Sequence, residues 1–236
     1  MGQLSCFLFA VFALNCRLMT SNQSRRGREE LNIIYGVVIL AAGASSRMGK
    51  PKLLLPWGDT SVLGYLIGQW EALGAKQIAV VHGTEDKAIG SELDRLGFPV
   101  ANRIANPKPG RGMFSSVQCA APWGGWNSAL THWVIALGDQ PHLRRETLRQ
   151  LMDFADSWPD RICQPSRCGR PRHPVVLPKA IFERLKDSRE ETLKQFLQNN
   201  ASAVAVREMD DPGLDFDMDT PADYEKALRL FAGDAG

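Results

Sequence analysis

Three stretches of this sequence carry residue types at spacings that suit phosphate chemistry. The first, Leu40-Ala-Ala-Gly-Ala-Ser-Ser-Arg-Met-Gly-Lys-Pro-Lys52, holds two glycines, two serines and three cations. Small residues let successive backbone amides close around an anion. Arg47 can fork onto phosphate oxygens, and Lys52 offers a compact charge to the same group. The pattern is neither the P-loop nor the dinucleotide glycine motif. The second stretch, Trp133 to Pro141, is an apolar run that ends in Asp139. The third, Asp215-Phe-Asp-Met-Asp-Thr-Pro-Ala-Asp223, sets acids ahead of a predicted helix. There Thr220 and Asp223 form a capping box, with Pro221 at the first helical position. Asp217 and Asp219 have no such explanation, although acids before a helix also complement its N-terminus. Two carboxylates from separate segments, Asp139 and Asp219, could hold one Mg2+ that bridges phosphate oxygens.

These groups need a scaffold that brings them to one edge. Ile33 to Leu40 is a continuous apolar, β-branched run, as in a parallel strand buried on both faces. Ser61 to Leu73 has apolar residues at helical spacing and ends at Gly74. The alternation continues with a strand at 77–81, a helix at 85–96, a short strand within 98–104 and a helix at 113–121. It goes on with strands at 133–137 and 162–164 on either side of a helix at 144–154. A strand at 173–177, helices at 179–185 and 192–197, a strand at 203–206 and a helix at 221–231 complete the chain. This predicts a single-domain α/β fold over residues 32–236, a doubly wound, mostly parallel sheet with an elaboration on the substrate side. Ligands of such sheets bind beyond the carboxyl ends of the strands, where both Leu40 and Asp139 fall.

Composition narrows the function classes. The 236 residues are 44% hydrophobic, enough for one sizeable core, and the net charge is +2. So balanced a surface favours neither nucleic acid nor an anionic membrane as partner. Five cysteines without a C-x-x-C pair indicate neither a disulfide framework nor a zinc site, and fit a reducing cytoplasm. Leu4 to Leu14 is apolar but lacks a preceding cation, and it is too short to span a membrane. Residues 1–31 are expected to be a disordered or mis-annotated leader, with residues 1–18 an artefact preceding a true start at Met19 and residues 20–30 a disordered lead-in. The competing expectation is a weak membrane anchor.

Taken in order, LAAGASSRMGKPK, the GDQP tetrapeptide and DMDTPADY resemble the MobA-like NTP transferases, closest to the molybdenum cofactor cytidylyltransferases. The resemblance spans nearly everything from Ile34 to Phe231. It implies a Rossmann-like nucleotidyltransferase that moves a nucleoside monophosphate onto a substrate phosphate and releases pyrophosphate. By its motifs Leu40, Ala41, Ala42, Gly43 and Ser45 lie along the nucleotide, and Arg47 and Lys52 hold the triphosphate. Asp139 and Asp219 ligate Mg2+. Asn106, Gly112, Ser115 and Ser116, in an N-P…G-M-x-x-S segment, approach base and sugar. His173 and Asp217 are left for the acceptor. LAAG and Pro51-Lys52, where the guanylyltransferase branch has LAGG and an Asp, favour CTP over GTP. The implied acceptor is molybdopterin or a similar phosphorylated molecule, with a molybdoenzyme or its chaperone as the recipient.

Two departures fall on the acceptor side. Arg172 stands where the family's G-R-x-G-H-P has glycine, and Ser188 to Lys194 replaces its Gly-Asp-x-Gly-Ala-Arg stretch. Guanylyl transfer, sugar- or alditol-phosphate nucleotidyl transfer and non-catalytic cofactor delivery are the alternatives. His82, His132 and His142 have no partner legible in the sequence. Trp123 and Trp126 are expected to cap the core, and Cys119 to be a small buried hydrophobe.

Overall fold

The computed structural model describes residues 32–43 and 48–234. The expected lead-in over 1–31, and the candidates Ser45 and Arg47, lie outside the described residues. The chain runs β1 (Tyr35–Leu40), β2 (Pro56–Trp57), β3 (Thr60–Ser61), α1 (Val62–Ala72), β4 (Gln77–Gly83), α2 (Lys87–Arg95) and β5 (Arg103–Asn106). It continues with α3 (Met113–Ala120), β6 (His132–Leu137), α4 (Arg145–Ser157), β7 (Ile162–Arg167), β8 (Arg170–Pro171) and β9 (Val175–Pro178). Last come α5 (Lys179–Arg184), α6 (Leu193–Asn199), β10 (Val204–Glu208) and α7 (Pro221–Asp234).

All six residues of β1 are buried because helices cover both faces of the sheet. Tyr35, Val37 and Ile39 face a core shared with α1, α2, α4 and α7. Val38 and Leu40 face the other, with α3, α5 and α6. That period-two division is what the unbroken apolar run implied. Helices α1, α2 and α6 each start on a side-chain cap. Ser61 Oγ accepts from Gly64 N at 3.1 Å, Asp86 Oδ1 from Ile89 N at 3.1 Å and Thr192 Oγ1 from Gln195 N at 3.2 Å, each contributing about 1 kcal/mol.

The sheet order is β10-β7-β9-β6-β1-β4-β5, with β8 paired to β7. The chain moves outward from β1 to β4 and β5, then returns to place β6 on the other side of β1. The switch in direction therefore lies between β1 and β6, where a crevice opens beyond the strand ends. Leu40 and Leu137 are partners there.

Strand β9 departs from the parallel expectation, pairing antiparallel with both β6 and β7. Its start differs too, at Val175 rather than His173. The strand expected within 98–104 lies at 103–106 because Val100–Asn102 coils into a 3-10 turn first. The two-residue strands β2 and β3 close a hairpin that the helical and strand periodicities missed. On it Trp57 is fully buried, with Phe231 of α7 5.0 Å away between ring centroids, and Tyr224 Oη donates to Pro56 O at 2.6 Å. Trp123 and Trp126 cap the second core as expected, meeting edge-on at 4.8 Å. Cys119 is half-buried against that core.

Candidate functional site

Strand β1 hands the chain to the candidate loop through a buried Ala41, whose N–H donates to Val81 O at 2.8 Å. Ala42 is half-buried and Gly43 is exposed, with open space where its Cβ would be. The chain re-enters the core at Met48 and turns at Gly49, whose φ of +69° is readily adopted only without a side chain. Pro51 then leads into a 3-10 turn over Lys52–Leu54, with Leu53 buried.

Leu53 fixes where Lys52 stands. It packs against Gly138, the residue just beyond β6. A β-carbon at 138 would lie 2.8 Å from Leu53 Cδ2 and 2.7 Å from the Leu40 carbonyl. The glycine of the GDQP tetrapeptide thus lets three segments close together. One result is a salt bridge of 2.7 Å between Lys52 Nζ and Asp139 Oδ2, and a second of 3.2 Å from Lys52 Nζ to Asp219 Oδ1. Sequence positions 52, 139 and 219 converge on one point at the carboxyl edge of the sheet.

Asp219 arrives there on an extended segment that alternates, with Phe216 and Met218 buried while Asp215 and Asp217 are exposed and Asp219 is half-exposed. Met218 N donates to Asp139 O at 3.1 Å, fastening this segment to the end of β6. Thr220 and Asp223 form the expected reciprocal cap of α7, with contacts of 2.9 and 3.2 Å. Asp217 Oδ1 accepts from Gln140 Nε2 at 2.9 Å. Partial desolvation, reinforced by the charges of Asp139 and Asp219, raises the Asp217 carboxyl above its ordinary range.

The donor set fits a divalent cation that is shared with a substrate. Asp139 Oδ1 is buried without a hydrogen-bond partner, a costly state for a carboxylate oxygen unless something binds it. Among the described residues no three His, Cys, Asp or Glu side chains gather into a complete metal cage. Two carboxylates completed by phosphate oxygens and water are what Mg2+ commonly takes.

The Asn106 segment is shaped by its own hydrogen bonds. Asn106 Nδ2 donates to Ser115 Oγ and to Ser116 Oγ, both at 2.9 Å, and its Oδ1 accepts from Lys108 N at 2.9 Å. Ser115 Oγ donates to Gly112 O at 2.7 Å. These contacts pin the 107–112 turn to the start of α3, and Gly112, with φ of +90°, is where the turn reverses. Asn106, Ser115 and Ser116 are all buried, so they hold the edge of the crevice in place.

On the other flank His173 is half-buried just ahead of β9. Burial lowers its pKa, opposed by the Ile135 carbonyl and the Asp139 charge, and its Nδ1 lacks a partner. Arg172 has a defined role. Its Nε donates to Asp215 Oδ1 at 2.9 Å, while Arg167 Nη1 donates to Asp215 Oδ2 at 2.7 Å. The Ser188–Lys194 stretch is a helix start, where Thr192 caps α6 and Gln118 Nε2 of α3 donates to Ser188 O at 3.0 Å.

Sequence reasoning missed Asp211 and the role of His142. Asp211, 2% exposed, accepts from Thr147 Oγ1 at 2.7 Å, Arg144 N at 3.1 Å and Gly213 N at 2.8 Å. It clasps the acidic segment to α4. The available signal was Asp-Pro-Gly, a turn sequence with a side-chain acceptor at its head. His142 Nε2 lies 3.2 Å from Gly213 O and 3.1 Å from Phe216 O, bracing the same segment.

Comparison with known proteins gives three results. Residues 37–205 match the family model described as the MobA-like NTP transferase domain. The molybdenum cofactor cytidylyltransferase of Escherichia coli K12 is 27% identical over 198 residues, covering 82% of this chain and 95% of that protein. The protein Rv0371c of Mycobacterium tuberculosis H37Rv, solved in complex with manganese, superimposes with a TM-score of 0.62. It is 25% identical, over 84% of this chain and 98% of that one.

Proposed function

Because this chain belongs to the MobA-like NTP transferase family and is a nucleotidyltransferase, we propose that it transfers CMP from CTP to a phosphorylated acceptor of the molybdopterin type, releasing pyrophosphate. The observation that carries the reading is the convergence of Lys52, Asp139 and Asp219 beside the end of β1. One cation and two carboxylates at a strand switch suit a triphosphate arriving with Mg2+.

The residues divide the work as follows. Leu40, Ala41, Ala42, Gly43 and Ser45 line the nucleotide, and Asn106, Gly112, Ser115 and Ser116 shape the opposite wall. Arg47 and Lys52 neutralise the triphosphate. Asp139 and Asp219 would hold the divalent cation, which when bound would offset charge building on the phosphate oxygens. The acceptor phosphate oxygen attacks the α-phosphorus and the bond to the bridging β-phosphate oxygen breaks, so pyrophosphate leaves. No side-chain base is required, because the acceptor phosphate is already an anion. The chain contributes mostly alignment and electrostatics. His173, its pKa lowered by burial, and Asp217 face the acceptor. The Cβ of Ala42 narrows the space for a purine and favours cytosine, and a site with fixed backbone partners rejects the wrong base strongly.

The relative from Escherichia coli supports the choice of cytidylyl transfer and of acceptor. The manganese complex of the Mycobacterium tuberculosis relative supports a divalent cation. Among the described residues no helix is long and apolar enough to cross a membrane, and we place the enzyme in the cytoplasm with its nucleotide. The test is pyrophosphate release by the full chain with Mg2+, each NTP in turn, and molybdopterin as acceptor. Release with CTP at the highest kcat/KM is expected. Higher kcat/KM with GTP would overturn the base assignment, and no release with any NTP would overturn the activity.

A further inference from the structure

The Lys52 ammonium stands in the gap between the two carboxylates proposed to hold the divalent cation. It is 2.7 Å from Asp139 and 3.2 Å from Asp219, and its side chain is only 13% exposed. An ammonium and a divalent cation cannot share that gap, because their repulsion at contact distance is large in a partly buried site. Nor can the carboxylates easily be left bare, since two like charges held close disfavour each other. Lysine suits alternating service here. Its charge is a point on a four-carbon stem, so the head can swing while the backbone stays fixed. The backbone is indeed fixed, by Leu53 packed on Gly138. The backbone that carries the two carboxylates is fixed as well, by the bond from Met218 N to the Asp139 backbone carbonyl and by the cap of α7.

We propose that Lys52 is a placeholder cation: it neutralises Asp139 and Asp219 until a triphosphate draws it away, and it thereby couples divalent-cation binding to nucleotide binding. The inference rests on the metal assignment above and adds an order to it. Without nucleotide, Lys52 competes with the cation for the same two carboxylates. With a triphosphate present, the ammonium has phosphate oxygens to move to, and the carboxylates become available.

The experiment measures Mn2+ binding to the full chain, without nucleotide, by the loss of the free-ion electron paramagnetic resonance signal. Wild type is expected to bind Mn2+ weakly alone and at least about 10-fold more tightly once CTP is added, beyond the ion that CTP holds itself. Lys52→Met is expected to bind Mn2+ without nucleotide at least about 10-fold more tightly than wild type. The gain should disappear in Lys52→Met combined with Asp219→Asn. Thermal unfolding gives a second reading, in which Mn2+ raises the midpoint of Lys52→Met and not that of wild type. If Lys52→Met folds poorly, Lys52→Gln takes its place in both assays. Equal or weaker Mn2+ binding by the Lys52 variants overturns the placeholder, as does a gain that survives Asp219→Asn. Failure of the activity reading would show differently, as absence of pyrophosphate release by wild type with the metal measurements unaffected.

Discussion

Replacing Gly138 with alanine tests whether the close approach of three segments sets the site. The backbone at 138 is not in the left-handed region, so the substitution acts through space alone. The new methyl would lie 2.7 Å from the Leu40 carbonyl oxygen, about 0.7 Å inside an ordinary contact, and 2.8 Å from Leu53 Cδ2. Leu53 can shift at modest cost. The Leu40 carbonyl cannot, because Leu40 is paired on both sides, to Val81 of β4 and Leu137 of β6. Overpacking of this kind costs about 1–3 kcal/mol, and the relaxation must push the end of β6 away from β1, carrying Asp139 with it. A displacement approaching 1 Å at a reacting centre lowers turnover by up to about 100-fold. Urea unfolding of Gly138→Ala should show the stability loss, and pyrophosphate release should show the rate loss. Leu53→Ala added to Gly138→Ala relieves one clash and leaves the other, so it should not restore turnover. An unchanged urea midpoint together with wild-type turnover in Gly138→Ala would refute the reasoning.

Asp139→Asn should abolish nucleotidyl transfer while the thermal midpoint stays near wild type, and near-normal turnover at saturating Mg2+ would remove Asp139 from the proposed metal set. Asp211→Ala leaves three donors unmatched and should destabilise by about 3 kcal/mol or more in urea. A loss under about 1 kcal/mol would mean the clasp is dispensable. His132 and His142 have pKa values lowered by burial, so below the unfolded value of about 6.5 the unfolded chain binds more protons. Stability should be full above about pH 6.5 and fall on acidification, by up to about 1.4 kcal/mol per pH unit for each histidine. Urea midpoints across that range, compared with His142→Gln, measure it, and a midpoint that rises on acidification contradicts the sign.

The parallel half of the sheet was legible because its signals are local. Six buried residues in β1 and five in β7 differ in how cleanly the apolar run shows, and Gln164, Pro165 and Ser166 truncated the second expectation. The direction of β9 was not legible. His173 to Leu177 has the same composition whichever way it runs, and only its register against β6, from His132 opposite Pro178 to Ile135 opposite Val175, reveals the direction. The β2–β3 hairpin was missed because two-residue strands have no period. For the site, the residue types of Lys52, Asp139 and Asp219 were readable, and so was the sharing of one cation by the two carboxylates; the direct contact of Lys52 with both was not, since it depends on the missing β-carbon at 138. Asp215 was read as part of an acid cluster, whereas its partners Arg167 and Arg172 lie more than forty positions away.

The reversed strand β9 has a consequence for how this scaffold can be altered. A parallel strand delivers to the crevice whatever follows it, as β1 and β6 do. An antiparallel strand delivers whatever precedes it, so Arg172 and His173 reach the rim from the upstream side of β9. Insertions between β8 and β9 would therefore rewrite the rim on the flank proposed for the acceptor, while insertions just after Pro178 would open on the opposite rim of the sheet. The wiring gives the two flanks of the crevice separately editable frames, one spliced behind its strands and the other ahead of one.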